Sequence, residues 1–368
     1  MNAALPRWAD LILLPLVNLL LALGLTALIV LATGSDPRAA LWALAVGSLG
    51  SADAIGYTLY YATNMAFTGL AVAVAFQGGL FNIGAEGQAY LAGLGVALVA
   101  LYLDALPGPL LVPLAILGGA AFGAAWGAVP GWLQARRGSH IVITTIMFNF
   151  IVSSLMNYVL VHMLIVPGKM APESRTFLPG GQLPKLDWLI AMFGGKLGAA
   201  PLNFSFLIAL IMCFLVWVLI WRTKLGYEMR TLGISPSAAS YAGIGYSKIV
   251  MITMLISGGL AGMMALNPVM GASARLQIEF VGGAGFVGIA VSLMGRNHPA
   301  GIVLSALLFG ILYQGGAELS FDMPAITRDM IVVIQGMVIL FAGALEYMLR
   351  PAIVRAYQQF ARSPAGGR

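Results

Sequence analysis

Long apolar runs alternate along this chain with short polar or basic breaks. An α-helix needs roughly 20 predominantly apolar residues to cross a hydrocarbon core about 30 Å thick with its backbone groups satisfied internally. Several runs meet that length. Matching the runs to their flanks predicts spans near 11–33, 57–77, 82–103, 110–133, 141–166, 204–222, 249–270, 280–295, 299–316 and 329–349. The expected fold is an all-α polytopic membrane protein of about ten transmembrane helices, with residues 1–368 forming a single transmembrane domain. The first run, Leu11 to Leu31, follows Arg7 and is longer than the roughly 7–15 residues of a signal-peptide core, so it reads as a retained first helix.

Four segments interrupt this plan. Ala39 to Gly56 is apolar but ends in Asp53 and small residues, which favours a short helix along the outer surface over a crossing. Phe76 to Gln88 sets four glycines and Glu86 between two strongly apolar runs, the pattern of a broken helix. Residues 167–203 form a long Pro- and Gly-rich loop, expected outside. Residues 223–247 are too ordered for a linker, because Ser235 can cap a helix with Pro236 at its first position and Gly243 can end it.

Composition agrees with the pattern: 60% of residues are hydrophobic, 9% are charged and the mean hydropathy is +0.93. A soluble domain would need far more charge to cover its surface. The net charge of +6 could be taken for a nucleic-acid footprint, but the basic residues lie in short clusters between apolar runs. No nucleic-acid partner is expected. With the amino terminus inside, inner segments hold Arg7, Arg136, Arg137, Arg222, Lys224, Arg230, Lys248, Arg296, Arg350, Arg355, Arg362 and Arg368, while the short outer loops hold Arg38, Arg275 and Arg328. Lys169, Arg175, Lys185 and Lys196 sit in the long loop, which counts less toward orientation. Both termini are therefore expected in the cytoplasm. The single cysteine, Cys213, lies inside an apolar run as a small core residue, and no intrachain disulfide can form.

Candidate chemistry is sparse. Glu86 is the carboxylate placed deepest in an apolar stretch, where a charge must be partnered or hydrated. Either Asn82, Glu86 and Gln88 line a solute path beside unwound backbone, or Glu86 caps and locks the helix break. Thr145, Asn149, Ser153 and Asn157 recur every four residues and so share one drifting helical face, suited either to interhelical hydrogen bonds or to a solute. The glycine-dense run Glu279 to Gly295 carries Phe286, a gate or stacking surface for a planar solute if it faces the path, and otherwise part of a tight helix contact. No GxxxxGK[ST], HExxH, CxxC or GxSxG sequence occurs, so any ATP use falls to another chain and no metal site is expected. An ion-coupled transporter with its site on Glu86 is the alternative. A membrane enzyme would need a catalytic cluster, and His140, His162 and His298 are scattered.

Thr68–Phe76, Gly79–Gln88, Trp126–Leu133, Thr144–Asn149, Gly226–Ile244 and Gly285–Val291 follow one another along the chain. Together, and in family order, they resemble the permease subunits of bacterial nucleoside and simple-sugar ABC importers, within the branched-chain amino-acid and ribose permease group. The resemblance implies a non-enzymatic transport subunit in the bacterial inner membrane, carrying a nucleoside or related small polar solute. It implies a second homologous permease chain, a cytoplasmic ABC ATPase that binds ATP and Mg, an external lipoprotein or periplasmic receptor, and membrane lipid around them. The chain itself would bind no cofactor. Residues 223–247 would couple to the ATPase through Gly226, Arg230, Gly233, Pro236, Ala239 and Tyr241. Two places depart from the family pattern, Gln77 where a basic residue is common and His140–Ile141 where an Asn–Glu pair is common.

Overall fold

The computed structural model describes residues 24, 26–32, 34–192, 194–323, 326, 330–334 and 336–337. Seven described helices are long and apolar enough to cross a membrane. In chain order the helices are α1 (Pro37–Leu49), α2 (Ala52–Gln77), α3 (Ala85–Tyr102), α4 (Gly108–Arg137), α5 (Ile141–Val159), α6 (Asp187–Ala191) and α7 (Ser205–Arg222). They continue with α8 (Lys224–Ile234), α9 (Pro236–Tyr241), α10 (Tyr246–Met263), α11 (Ala284–Met294) and α12 (Pro299–Asp322). π-Helical turns extend α5 over Leu160–Leu164 and follow α10 over Leu266–Ala272. The expected spans at 11–33 and 329–349 fall largely outside the described residues.

The chain divides into two compact units, residues 1–48 with 312–368, and residues 49–311. In the first, α1 lies against the end of α12, where Gly315 meets the Leu44 carbonyl and Gly47 meets Glu318. At about 1.5 Å per residue, the thirteen residues of α1 are too short to cross. The apolar segment expected as one helix over Ala39 to Gly56 is cut at Gly50–Ser51, because the Ser51 hydroxyl accepts the Ala54 N–H at 3.0 Å and starts α2.

The second unit is built around α2 and α10, whose spans are 78% and 72% buried, while α5 and α7 are peripheral at 22% and 33%. Glycines set the closest contacts. Gly119, Gly123 and Gly127 of α4 face Gly262, Gly258 and Met254 of α10, and a Cβ at Gly127 would stand 2.8 Å from the Met254 carbonyl. This four-residue spacing of small residues lets two backbones approach where side chains would hold them apart.

The span expected at 280–295 is corrected. α11 has eleven residues, about 16 Å, and its start is set by Gly282 and Gly283 with φ of 58° and 82°. The apolar run is itself shorter than a full crossing, and the left-handed turn leaves its first residues outside the helix. The loop at 167–203 is not a bare linker either. Asp53 accepts the N–H groups of Gly198 and Ala200 at 3.0 and 2.8 Å, Arg175 pairs with Asp104 at 2.6 Å, and Arg275 pairs with Glu173 at 2.7 Å. These contacts fold the loop onto the ends of α2, α3 and the π-turn.

Candidate functional site

The expected helix break is present: α2 ends at Gln77, α3 starts at Ala85, and residues 78–84 turn between them. Gly79 takes a φ of 71°, a left-handed conformation that costs glycine nothing. Buried backbone in such a turn must find partners. The buried side chain of Asn82 supplies one, its Oδ1 accepting the Gly84 N–H at 2.9 Å. Asn82 also exchanges two hydrogen bonds with Gln88, at 2.9 and 3.2 Å, and donates to Ser257 Oγ at 2.9 Å. The Ser257 hydroxyl in turn donates a hydrogen bond to the Ala71 carbonyl at 2.7 Å. Both Asn82 donors and both oxygen lone pairs are thus used inside the protein.

Asn149 of α5 braces the next step. Its Nδ2 donates to the Ile83 carbonyl and its Oδ1 accepts the Gly87 N–H, each at 3.0 Å. Thr145, one turn earlier, is fully buried against Gly84, and its hydroxyl bonds back to Ile141 at 2.8 Å. Glu86 reaches across to α11: Oε1 accepts the Gly283 N–H at 2.9 Å and Oε2 the Gly285 N–H at 2.7 Å. The carboxylate therefore sits on a helix amino terminus, where two N–H groups and the helix dipole balance its charge. Gly285 permits the approach, since a Cβ there would collide with the Glu86 backbone. Phe286, in the same turn of α11, is 49% exposed.

All six candidate path residues, Asn82, Glu86, Gln88, Thr145, Asn149 and Phe286, gather at this one break. The α5 stripe explains itself geometrically. Each four-residue step turns the helix by about 40° beyond a full revolution, so Thr145 is buried, Asn149 half-buried, and Ser153 and Asn157 exposed.

The segment 223–247 forms two helices rather than one. Thr223 caps α8 by accepting the Gly226 N–H at 3.1 Å, and Ser235 caps α9 by accepting the Ala238 N–H at 3.3 Å with Pro236 behind it. Gly243, at φ 74°, turns the chain out of α9. Gly226 packs on the carbonyls of Leu219 and Ile220, and Ala239 is fully buried. Ile234 and Tyr241 are 87% and 95% exposed, so the α9 end projects. The Arg230 Nε is buried with no hydrogen-bond partner. Gly233 lies directly on the break, where a Cβ would strike the Gln77 carbonyl and come within 2.8 Å of the Gly79 nitrogen.

Other contacts bring further loops to this end of the unit. Gln134 Nε2 donates to the Tyr246 hydroxyl and Ser247 Oγ to the Ala135 carbonyl, both at 3.0 Å, and Gln77 reaches the Asn297 carbonyl at 3.3 Å. Arg136, Arg137, Arg222, Lys224, Lys248 and Arg296 thus collect at one end.

The chain matches, over residues 54–343, the family described as the permease component of the branched-chain amino acid transport system. It belongs to that permease family. It is 31% identical over 355 residues to the nucleoside ABC transporter permease protein NupB of Lactococcus lactis, covering 94% of each chain. It is 33% identical over 342 residues to the guanosine ABC transporter permease protein NupP of Bacillus subtilis, covering 92% of this chain and 94% of the relative. To a glucose ABC transporter permease protein of Haloferax volcanii it is 30% identical over 351 residues, covering 94% and 90%. With seven candidate spans, the permease is a multi-pass membrane protein.

Sequence reasoning missed two sets of residues in the permease. Ser257 completes the Asn82 cluster from 175 positions away, and nothing in the run Ile256-Ser-Gly-Gly259 separates it from a packing residue. At the opposite end, Asn203 donates to Asn267 and Asn267 to Asn64, each at 2.7 Å, in a buried amide chain. Asn64 and Asn267 inside apolar runs and Asn203 at the end of the long loop were the available signal.

Proposed function

We propose that this permease is the membrane subunit of an ATP-driven importer of a neutral nucleoside or related simple sugar in the bacterial inner membrane. Its partners are a second related permease chain, a cytoplasmic ABC ATPase that hydrolyses ATP with Mg, and an external receptor that delivers the solute. The reading takes ten crossings in one membrane domain, one of them made by the 273–283 turn together with the short α11, with both termini and the α8–α9 end in the cytoplasm. The basic end described above supports that orientation. Basic groups at the other end are partly neutralised by Glu173 and Asp104.

The observation that carries the proposal is the contact of Gly233 with Gly79. A push on the projecting α9 passes, backbone to backbone, into the 78–84 break. From there the Asn82–Gln88–Ser257 cluster and the Asn149 clamp hand the movement to α3, and Glu86 hands it to α11 and Phe286. The exposed polar face of α5, with Ser153 and Asn157, is costly against lipid. It faces the second permease chain and the path between the two. In the ion-coupled alternative Glu86 carries the ion, yet both its oxygens already accept backbone N–H groups.

The test is to purify the native complex and measure nucleoside uptake in proteoliposomes with and without internal ATP. Co-purification of an ATPase and ATP-dependent uptake are expected. A stable complex that imports without any ATPase, or uptake abolished by an uncoupler alone, overturns the proposal.

A further inference from the structure

A cavity of about 520 Å³ opens between the helix break, the 138–142 turn and α8–α9. That volume falls within the ~300–1,000 Å³ of small-molecule sites. Phe81 and Tyr246 give it aromatic walls, and Gln134, Ser139 and His140 give it polar ones. Gln134 is anchored from both sides, accepting the Ile141 N–H at 2.9 Å and donating to Tyr246. The Ser139 hydroxyl is buried and has no hydrogen-bond partner in the protein. An orphaned buried hydroxyl costs free energy that a ligand would recover.

No Asp, Glu, Lys or Arg is among the described residues that line the cavity. A phosphate or carboxylate would find no Lys or Arg partner there, whereas a neutral ring with heteroatoms could stack on the aromatics and satisfy Ser139. The walls also include Gly79 on one side and Gly233 on the other. An occupant would touch both halves of the contact through which α9 reaches the break.

We propose that this cavity is a regulatory site for a neutral, planar, heteroatom-bearing molecule of nucleoside size, whose binding holds α8–α9 against the break and slows transport. The slowing of transport and the identification of that ligand with the imported solute rest on the function proposed above, whereas the binding site itself does not. A ligand that contacts both sides of a moving contact binds its two arrangements unequally, and so shifts the population toward the one it fits. Solute accumulating on the ATPase side would then throttle its own entry.

The experiment uses the complex of permease chains and ATPase, without receptor, in nanodiscs. Equilibrium binding of radiolabelled uridine and adenosine is measured on it, with glucose for comparison, and receptor is then added to a second portion to read stimulated ATPase activity at rising nucleoside concentration. Saturable nucleoside binding and falling ATPase activity are expected. Ser139→Ala should weaken binding by about 3–10-fold, the worth of one hydrogen bond. Val142→Trp, which fills the cavity, should abolish both binding and inhibition.

Binding that survives Val142→Trp, or that is lost with Asn149→Ala instead, belongs to the solute path and overturns the proposal. Glucose binding more tightly than either nucleoside overturns the ligand class. Uptake by the same complexes, reconstituted with receptor into proteoliposomes, separates the two proposals. Import without receptor-free binding removes the regulatory site alone, while binding at the cavity without import removes the transport assignment and leaves the site.

Discussion

Asn82 and Gln88, on either side of the turn into α3, exchange two hydrogen bonds, and Ser257 from α10 closes the group. The pair is saturated, so its capacity goes into holding the break rather than into a solute. Replacing Asn82 by Ala orphans Gln88, the Gly84 N–H and one lone pair of Ser257. A loss of about 1–3 kcal/mol of stability is expected. Thermal unfolding of the purified permease in nanodiscs measures it, and an unchanged midpoint would show that the amide pair braces nothing.

Glu86 fixes α3 to α11 through two charge-assisted hydrogen bonds. Glu86→Gln keeps one acceptor but turns its amide nitrogen toward the second N–H donor. Glu86→Ala removes both acceptors. Uptake should fall in the order wild type, Gln, Ala, by about tenfold or more for Ala if one such bond is worth ~1.5–3 kcal/mol, with assembly intact on size exclusion. Normal uptake at normal expression for Glu86→Ala takes Glu86 out of the mechanism.

Gly233→Ala places a methyl against the Gln77 carbonyl and Gly79 nitrogen. Overpacking of this kind costs about 1–3 kcal/mol, here at the contact between α8 and the break. The expected outcome is less solute imported per ATP hydrolysed, read from parallel uptake and ATPase assays. Gly259→Ala is the control, because its Cβ would find the Ala120 carbonyl at an ordinary 3.5 Å. It should leave that ratio unchanged.

Tyr241 and Ile234 stand almost wholly in solvent at the end of α9 and α8. Changing both to Ser removes exposed apolar surface without opening the interior. The permease should keep its unfolding midpoint while retaining less ATPase on affinity purification. Full retention would move the docking surface elsewhere.

Glu173 clips the long loop to residues 275–277. The Lys169 ammonium, joined by Gln277 and Arg275, holds its carboxyl below the usual carboxylate range against the opposing effect of desolvation. A folded-state pKa below the unfolded value gives stability that is complete above the unfolded pKa and is lost as pH falls through the folded one. Protection of the Ser174 and Phe177 amides, which bond to Leu276 and Ala274, should stay level from neutrality down to about pH 5. It should drop below about pH 4. Hydrogen exchange corrected for intrinsic rates measures this, and Glu173→Gln should flatten the dependence.

Helix positions were legible wherever an apolar run ends in a charge or cap. The run expected at 204–222 is α7 at 205–222, and Ser235 with Pro236 announced α9. The run at 280–295 misled because hydropathy registers composition, while the left-handed Gly282 and Gly283 decide where the helix begins. The polar residues of the break stood out against glycine and apolar neighbours. Their partners did not, since Asn82 to Ser257 and Glu86 to Gly285 span 175 and 199 positions and exist only once the helices pack.

The seam of Gly119, Gly123 and Gly127 against α10 has a mechanical consequence. Two backbones in direct contact have no long side chains between them to hop rotamers and absorb a shift, so α4 and α10 must travel together as one stiff beam. An access change in this permease is then a tilt of that beam against its neighbours. The bearing surfaces are the faces the beam presents to α2, α3 and the half-buried polar side of α5, which is the region where an introduced crosslink should stall the cycle.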